Sequence, residues 1–316
     1  MSRKPIVAAL LGGLFAIGPA VAQKTCDRAC LLKATDAYLA ALVAHDPASA
    51  PLAANVPFVE NARRTQIGEG LWKTTTGGPT KFSIHVPDPA AQSAGWMGMM
   101  AQDGKPVQVA IALWFKEGKI ARVEHRVAPV TDAVLPRLQV PRPGLVTDVP
   151  TDKRLPRDQL ARIGASYYDA VDENDGTKAP FAADCQRHEG GMVTAGAEAG
   201  TGPASQGVPP IAKDCAGQLS AGVMAYITTI SDRIVFAADP QTGLAMGFSV
   251  LRHPMDFAPY PVKSIDGTVT MYSKERLGYA PWDNVAAHIW KIGPDRKMHE
   301  IEAMGFRAPS GTGLGW

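Results

Sequence analysis

The feature that most constrains this chain is a correspondence between two stretches of it at one fixed offset. Leu31, Ala34, Tyr38 and Leu42, spaced as one face of a helix, recur as Leu160, Ile163, Tyr167 and Val171, an offset of 160 − 31 = 129. The same offset carries Asp46 to Asp175, Pro51 to Pro180, Ala53-Ala54-Asn55 to Ala182-Ala183-Asp184, and Glu60 to Glu189. Further on the spacing shifts but the order persists: Asp88-Pro89 answers to Asp239-Pro240, Gly98 to Gly247, and residues 119–124 to 297–302. A helix and its following turn sharing one offset reads as two copies of one α+β unit.

Within the first copy, residues 27–45 form an amphipathic helix that Asp46-Pro47 ends, and residues 50–54 give a short helical turn before an extended piece at 56–60. After the Gly-rich bend at 68–72, strands are expected at 81–86, 96–100, 106–116 and 119–127. In the third of these Val107, Val109, Ile111, Leu113 and Phe115 share a face, and Gly118 marks a hairpin to the fourth. Residues 136–156 carry Pro136, Pro141, Pro143, Pro150 and Pro156, which exclude a helix or a central strand and predict a linker over the surface. The domains are therefore 23–135 and 157–316, and the second holds an insertion at 192–214, rich in Gly, Ala, Ser and Pro. It reads either as a lid over a cavity or as a tolerated surface loop.

The basic start Met1-Ser2-Arg3-Lys4, the apolar run after it and the small-x-small pattern Ala20-Val21-Ala22 read as a signal peptide over residues 1–22. A membrane anchor is the competing reading, but Gly12, Gly13, Gly18 and Pro19 interrupt a run shorter than the roughly 20 apolar residues a span requires. The expected location is periplasmic or secreted, with no membrane contact after cleavage. A net charge of +2 without a basic cluster gives no electrostatic reason to expect nucleic acid or anionic lipid.

Cys26, Cys30, Cys185 and Cys215 all lie beyond the signal, and an oxidising compartment favours pairing them. Four cysteines allow three connectivities. Cys26 with Cys30 and Cys185 with Cys215 is the favoured set, because residues four apart at a helix start can meet the Cα separation of a bridge. Zinc is the alternative, but paired Cys-x-x-Cys units are missing, so no metal is assigned.

One long helix, a short one and then a run of long antiparallel strands resembles the cone-shaped fold of the SnoaL-like, or nuclear-transport-factor-2-like, superfamily. Four pieces look more closely like an uncharacterised family of secreted two-unit proteins. They are Glu60-Asn61 with Gly68-Glu69-Gly70-Leu71-Trp72, then Asp184-Cys185-Gln186-Arg187-His188-Glu189-Gly190-Gly191, then Ala225-Tyr226-Ile227 through Asp232-Arg233, and the closing residues 309–316. The resemblance implies an α+β fold of two SnoaL-like units, each with helices packed on a curved antiparallel sheet. This chain departs from the family pattern at Gly190, where an asparagine usually follows the glutamate. Superfamily members include cofactor-free isomerases, dehydratases, cyclases and epoxide hydrolases as well as proteins that only bind, and none of their catalytic motifs aligns with this chain.

Strand parity supplies the local argument for chemistry. Val56 and Phe58 share a face with Glu60, and Cys185 and Arg187 share one with Glu189. A carboxylate set among apolar residues has its charged form disfavoured, which suits it to acid or base work. The competing structural reading pairs Glu189 with Arg187, two residues away on the same face, with Arg233 as a second cation. His125 lies on the apolar face of its strand, and its counterpart in the second copy is Ala303. His188 has the wrong parity to accompany Glu189, while His253 and Asp256 fall near a strand end where a cone would open. Tyr38, Tyr167, Trp72, Trp96 and Tyr226 are candidate pocket linings, with core packing as the default for each.

No Gly-x-Ser-x-Gly elbow, phosphate-binding loop, dinucleotide fingerprint or His-Glu-x-x-His occurs, so no cofactor is called for. The expected function is a cofactor-independent lyase or isomerase for a small apolar or aromatic molecule. Glu189 or Glu60 would move a proton, and His125, Arg187 or a tyrosine would polarise the substrate. A non-catalytic small-molecule-binding protein is the second expectation. The third is an assembly module that forms a homodimer through open sheet faces.

Overall fold

The computed structural model describes residues 25–199 and 212–316. The segment read as a signal peptide, and the centre of the 192–214 insertion, lie outside the described residues.

The chain is α+β. Helix α1 (Arg28–Val43) starts where the Asp27 side chain accepts the Cys30 N–H at 2.8 Å, and it buries Leu31, Ala34, Tyr38, Leu39 and Leu42. After it come β1 (Phe58–Glu60), β2 (Arg63–Thr65), α2 (Leu71–Thr74), β3 (Thr75–Gly77), β4 (Ser83–Asp88), β5 (Ser93–Gln102), β6 (Lys105–Lys116) and β7 (Lys119–Pro129). The expected hairpin at Gly118 is present: Glu117 and Gly118 both have positive φ, the two-residue turn whose twist suits antiparallel strands. Asp103 and Gly104 repeat it between β5 and β6.

The second half opens with α3 (Arg157–Asp172), then β8 (Phe181–Glu189), β9 (Met192–Ala195), α4 (Cys215–Ser220), β10 (Thr229–Asp239) and β11 (Leu244–His253). A small hairpin of β12 (Tyr260–Lys263) and β13 (Val269–Tyr272) follows, with α5 (Lys274–Leu277), before β14 (Trp282–Ile292) and β15 (Met298–Pro309). The start of the insertion is thus a strand, β9, paired with β8.

Two large sheets result, ordered β2-β1-β7-β6-β5-β3, with β4 also on β5, and β9-β8-β15-β14-β11-β10. Each has one parallel contact, β1 on β7 and β8 on β15, and in these Glu60 stands beside His125 as Glu189 stands beside Ala303. One face of the first sheet is covered by α1: Val107, Val109, Ile111, Leu113 and Phe115 join Leu31, Tyr38 and Leu42 in one core. One face of the second is covered by α3 in the same manner, through Leu160, Tyr167, Ala286 and Trp290.

The opposite faces pack against each other. Phe82, Ile84, Val86, Met97, Met99, Ala110 and Ala112 of the first sheet form a single buried cluster with Phe236, Leu244, Met246, Phe248, Ile289 and Met304 of the second. A homodimer through open sheet faces was expected as one possibility; these two faces are instead used within one chain.

Polar groups fix the pairing. Arg28, at the start of α1, bonds Asp239 at the end of β10 (2.9 Å), and Arg157, at the start of α3, bonds Asp88 at the end of β4 (2.7 Å). Arg126, 1% exposed, donates across the interface to the carbonyls of Ser249 and Ala286, and its guanidinium lies 3.9 Å from the centre of the Phe248 ring.

The proline-rich segment forms no α-helix or strand and is mostly exposed, as expected of a surface linker. Its prolines start two short 3₁₀ turns, Leu135–Leu138 and Pro143–Leu145, which bury Leu138 and Leu145 at the edge of the inter-sheet cluster. Arg142 anchors it on β15 through the Ile301 carbonyl (2.9 Å), Glu300 (3.3 Å) and Glu302 (3.4 Å).

Both expected disulfides are formed, Cys26–Cys30 and Cys185–Cys215, with Cα separations of 5.1 and 5.5 Å. The second ties β8 to the start of α4 and closes a 30-residue loop, worth about 3–4 kcal/mol in the chain-entropy treatment. Two disulfides fit an oxidising, extracytoplasmic environment. Among the described residues no helix is long and apolar enough to cross a membrane.

Candidate functional site

The two glutamates singled out by parity have different surroundings. In the first half Glu60 is taken up by its neighbours: His125 donates from Nδ1 to Oε2 at 3.3 Å, and the Leu71 N–H donates to both carboxylate oxygens at 3.1 and 3.0 Å. On the other side of the imidazole, Nε2 accepts the Tyr38 hydroxyl at 2.8 Å. Tyr38 and His125 have no exposed surface, and burial, followed by the nearby Glu60 charge, pushes the Tyr38 hydroxyl well above its ordinary range. Trp72 stands edge-on to Tyr38 with ring centres 5.2 Å apart. Gly70 is a glycine for a local reason: a Cβ there would sit 2.1 Å from Glu60 Oε1, so only a bare backbone lets the carboxylate reach the start of α2.

In the second half a fully buried arginine holds the carboxylate. Arg187 donates to Tyr167 Oη (2.9 Å), Thr194 Oγ1 (2.8 Å) and Glu189 Oε2 (2.9 Å). Burial opposes its charge, but Glu189 and Tyr167 outweigh that and raise the guanidinium further. The other carboxylate oxygen faces the Asn284 amide at 3.5 Å and a cleft of about 460 Å³. Tyr226, Tyr279, Trp282 and Arg307 wall this cleft, with Gly190, Met192 and Gly305 beside Glu189. Arg307 lies 4.8 Å from the ring centres of both Tyr279 and Trp282, and His253 stacks on Trp282 at 3.8 Å. Burial, then the Glu189 charge, pushes the Tyr226 hydroxyl up, so it stays protonated and available as a donor.

Three histidines around this half are held neutral. Burial depresses His253 to about 4 against the opposing bond to the Leu251 carbonyl, and burial with the cations Arg142, Arg137 and Arg187 takes His188 to about 3. His288, stacked on Trp290, is pushed well below its usual value by burial and then by Arg187 and Arg126. The unfolded chain binds these protons below about pH 6.5 and the folded chain refuses them. Their contribution to stability is therefore complete above about pH 6.5 and is lost as the pH falls toward the folded values. The melting temperature is expected to drop across pH 6.5 to 4. His253→Phe, which keeps the stack on Trp282, is expected to flatten that dependence by about one proton. A pH series of melting curves for both proteins checks this, and identical slopes would contradict it.

Several sequence candidates are placed elsewhere. Arg233 is not a second cation for Glu189: it is committed to Asp169 (2.7 Å) and Asp172, which anchors β10 on α3. Trp96 is a core residue, its Nε1 donating to Ser83 Oγ at 2.7 Å. Tyr167 serves Arg187 from beneath the site. Asp256 is exposed on the chain between β11 and β12. Residues 186–189 pair with 300–303 in unbroken register, so His188 alternates with Arg187 and Glu189 as the strand parity predicts, and the bulge beside it lies in β9.

Sequence reasoning missed Asn284, Trp282, Tyr279 and Arg307. They meet Glu189 only through the register of β14 and β15, in which Asn284 lies opposite Arg307 and Trp282 opposite Pro309. Among the described residues no group of three His, Cys, Asp or Glu side chains converges to hold a metal ion.

Residues 153–305 match a family described as a domain of unknown function, DUF8021. The matched stretch runs from the start of α3 into β15 and takes in Arg187, Glu189, Tyr226, Trp282 and Asn284. No curated protein matches the chain.

Proposed function

We propose that this is a periplasmic or secreted protein of two SnoaL-like units, and that the second unit is a cofactor-independent lyase or isomerase. It moves a proton on a small, largely apolar or aromatic molecule at Glu189. The two-unit reading is supported by the common strand order of the large sheets, by the single parallel contact in each, and by the reciprocal pairs Arg28–Asp239 and Arg157–Asp88. Export is supported by the two disulfides and by the signal-like N-terminus.

The observation that carries the enzymatic reading is the position of Glu189, fixed by a buried guanidinium on the wall of an aromatic cleft. A proton acceptor already held in place loses no free energy to reorientation during reaction. The neighbouring Tyr226 hydroxyl supplies a donor for a substrate carbonyl. The first unit is read as structural, because His125 and the Leu71 N–H occupy the carboxylate of Glu60.

A screen of small aromatic compounds for those that raise the melting temperature identifies ligands of the cleft. Glu189→Gln is then expected to lower turnover of the productive one by about a thousandfold while leaving its affinity within a factor of a few. Retained turnover would end the assignment of Glu189.

Binding without turnover is the second reading. It is favoured by the bond from Arg187 to Glu189 Oε2, which takes up one of the two oxygens a base would use. Ligands that stabilise the protein but are returned chemically unchanged decide for it.

A further inference from the structure

Asn61 and Gly190 occupy equivalent turns. Each follows the glutamate that ends its strand, and each has positive φ, 49° and 55°. Each donates its N–H to the neighbouring parallel strand, at the His125 carbonyl (3.0 Å) and the Ala303 carbonyl (2.8 Å). In the first sheet the Asn61 carboxamide then lies edge to edge on Val127: the Val127 N–H donates to Oδ1 (2.8 Å), and Nδ2 donates to the Val127 carbonyl (3.0 Å).

The residue that takes the place of Val127 in the second sheet is Gly305, two beyond Ala303 on a strand that is regular there. Backbone alternation turns the Gly305 N–H and C=O to the same edge as the Ala303 carbonyl. Residue 190 has no side chain to meet them, and a Cβ built on Gly190 finds no atom within 4 Å. No hydrogen bond along that edge reaches Gly305 from the described residues. Gly190 and Gly305 both line the cleft beside Glu189 and Asn284.

We propose that the cleft recognises a carboxamide edge, an N–H and a C=O side by side, on the backbone of Gly305. The ligand docks there as the Asn61 side chain docks on Val127. The ligand class is small aromatic carboxamides, lactams or imides, with the rest of the molecule against Tyr226 and Trp282 and within reach of Glu189. This rests on the cleft being the ligand site and adds the chemistry it selects. A carboxylate has no donor for the Gly305 carbonyl and leaves it unpaired, which is the mismatch that polar sites reject most strongly.

The probes are benzamide and benzoate, added to the isotopically labelled mature chain while the Gly305 amide resonance is followed. Benzamide is expected to shift that resonance and to bind at least about tenfold more tightly than benzoate. In Gly190→Asn the new carboxamide is expected to fill the edge, remove benzamide binding and raise the melting temperature. Gly190→Ala, with no amide to dock, is expected to retain binding. Equal affinity for the two probes, tighter binding of benzoate through Arg307, or undiminished benzamide binding by Gly190→Asn would each overturn the proposal.

Glu189→Gln is expected to keep benzamide binding, which separates this test from that of catalysis. If benzamide behaves as stated while Glu189→Gln still turns substrate over, the proton-transfer reading falls and the amide edge stands. If benzamide leaves Gly305 unmoved in a protein whose turnover depends on Glu189, the reverse holds.

Discussion

Replacing Arg187 with methionine is expected to cost about 3–5 kcal/mol of folding stability, the range for removing one partner of a buried ion pair. The side chain is 2% exposed and satisfies three groups at once, the Tyr167 hydroxyl, Thr194 Oγ1 and Glu189 Oε2. Methionine fills much of the volume but leaves a half-buried carboxylate without its cation. Most of the loss should therefore be recovered in Arg187→Met with Glu189→Gln, because the neutral amide does not need the cation. Denaturant unfolding of the two single variants and the double variant forms a cycle whose coupling term reports the pair. A coupling near zero would mean that Glu189 is stabilised mainly by Asn284 and solvent, and the pre-positioned acceptor would lose its support.

Separating the halves is expected to have the other large effect. Residues 153–316 expressed alone should not remain a monomer. The face of the second sheet that carries Phe236, Leu244, Met246, Phe248, Ile289 and Met304 would be exposed, and each such side chain contributes about 1.5–3 kcal/mol when buried. Asp239 would lose Arg28, and residues 25–150 alone would leave Asp88 without Arg157. Sizing chromatography of each half should show self-association or aggregation, while mixing or co-expression restores a one-to-one species. A stable, monomeric second half would show that the inter-sheet cluster is dispensable.

Much of the architecture was legible from local pattern. The helical stripe of Leu31, Tyr38 and Leu42 and its echo 129 residues on correspond to α1 and α3. The alternation in β6 identified the face under α1, whereas the parallel pairing of Glu60 with His125 and of Glu189 with Ala303 came only from the structure. The contact between sheets was missed, although β6 carried a sign of it. Ala110 and Ala112, on the face opposite Val109 and Ile111, are apolar where a solvent-facing residue would be polar, so the strand is buried on both sides.

The proline-rich segment runs over the surface as expected, but proline content reports backbone conformation and does not say that Leu138 and Leu145 between the prolines find a core. The site was legible only within single strands. Arg187 with Glu189 is a two-residue spacing, whereas Tyr38 with His125 and Glu189 with Asn284 lie 87 and 95 positions apart and depend on strand register.

The reciprocal arginine–aspartate pairs have a consequence for how such a protein changes over time. In a symmetric homodimer every substitution appears at both related positions, so a mutation that opens a pocket in one subunit also weakens the scaffold of the other. Joining the two partners into one polypeptide removes that obligation while keeping the docking geometry, and it makes association independent of concentration. Asn61 and Gly190 show such a difference between the halves: in one a carboxamide closes the sheet edge on Val127, and in the other the equivalent turn carries no side chain.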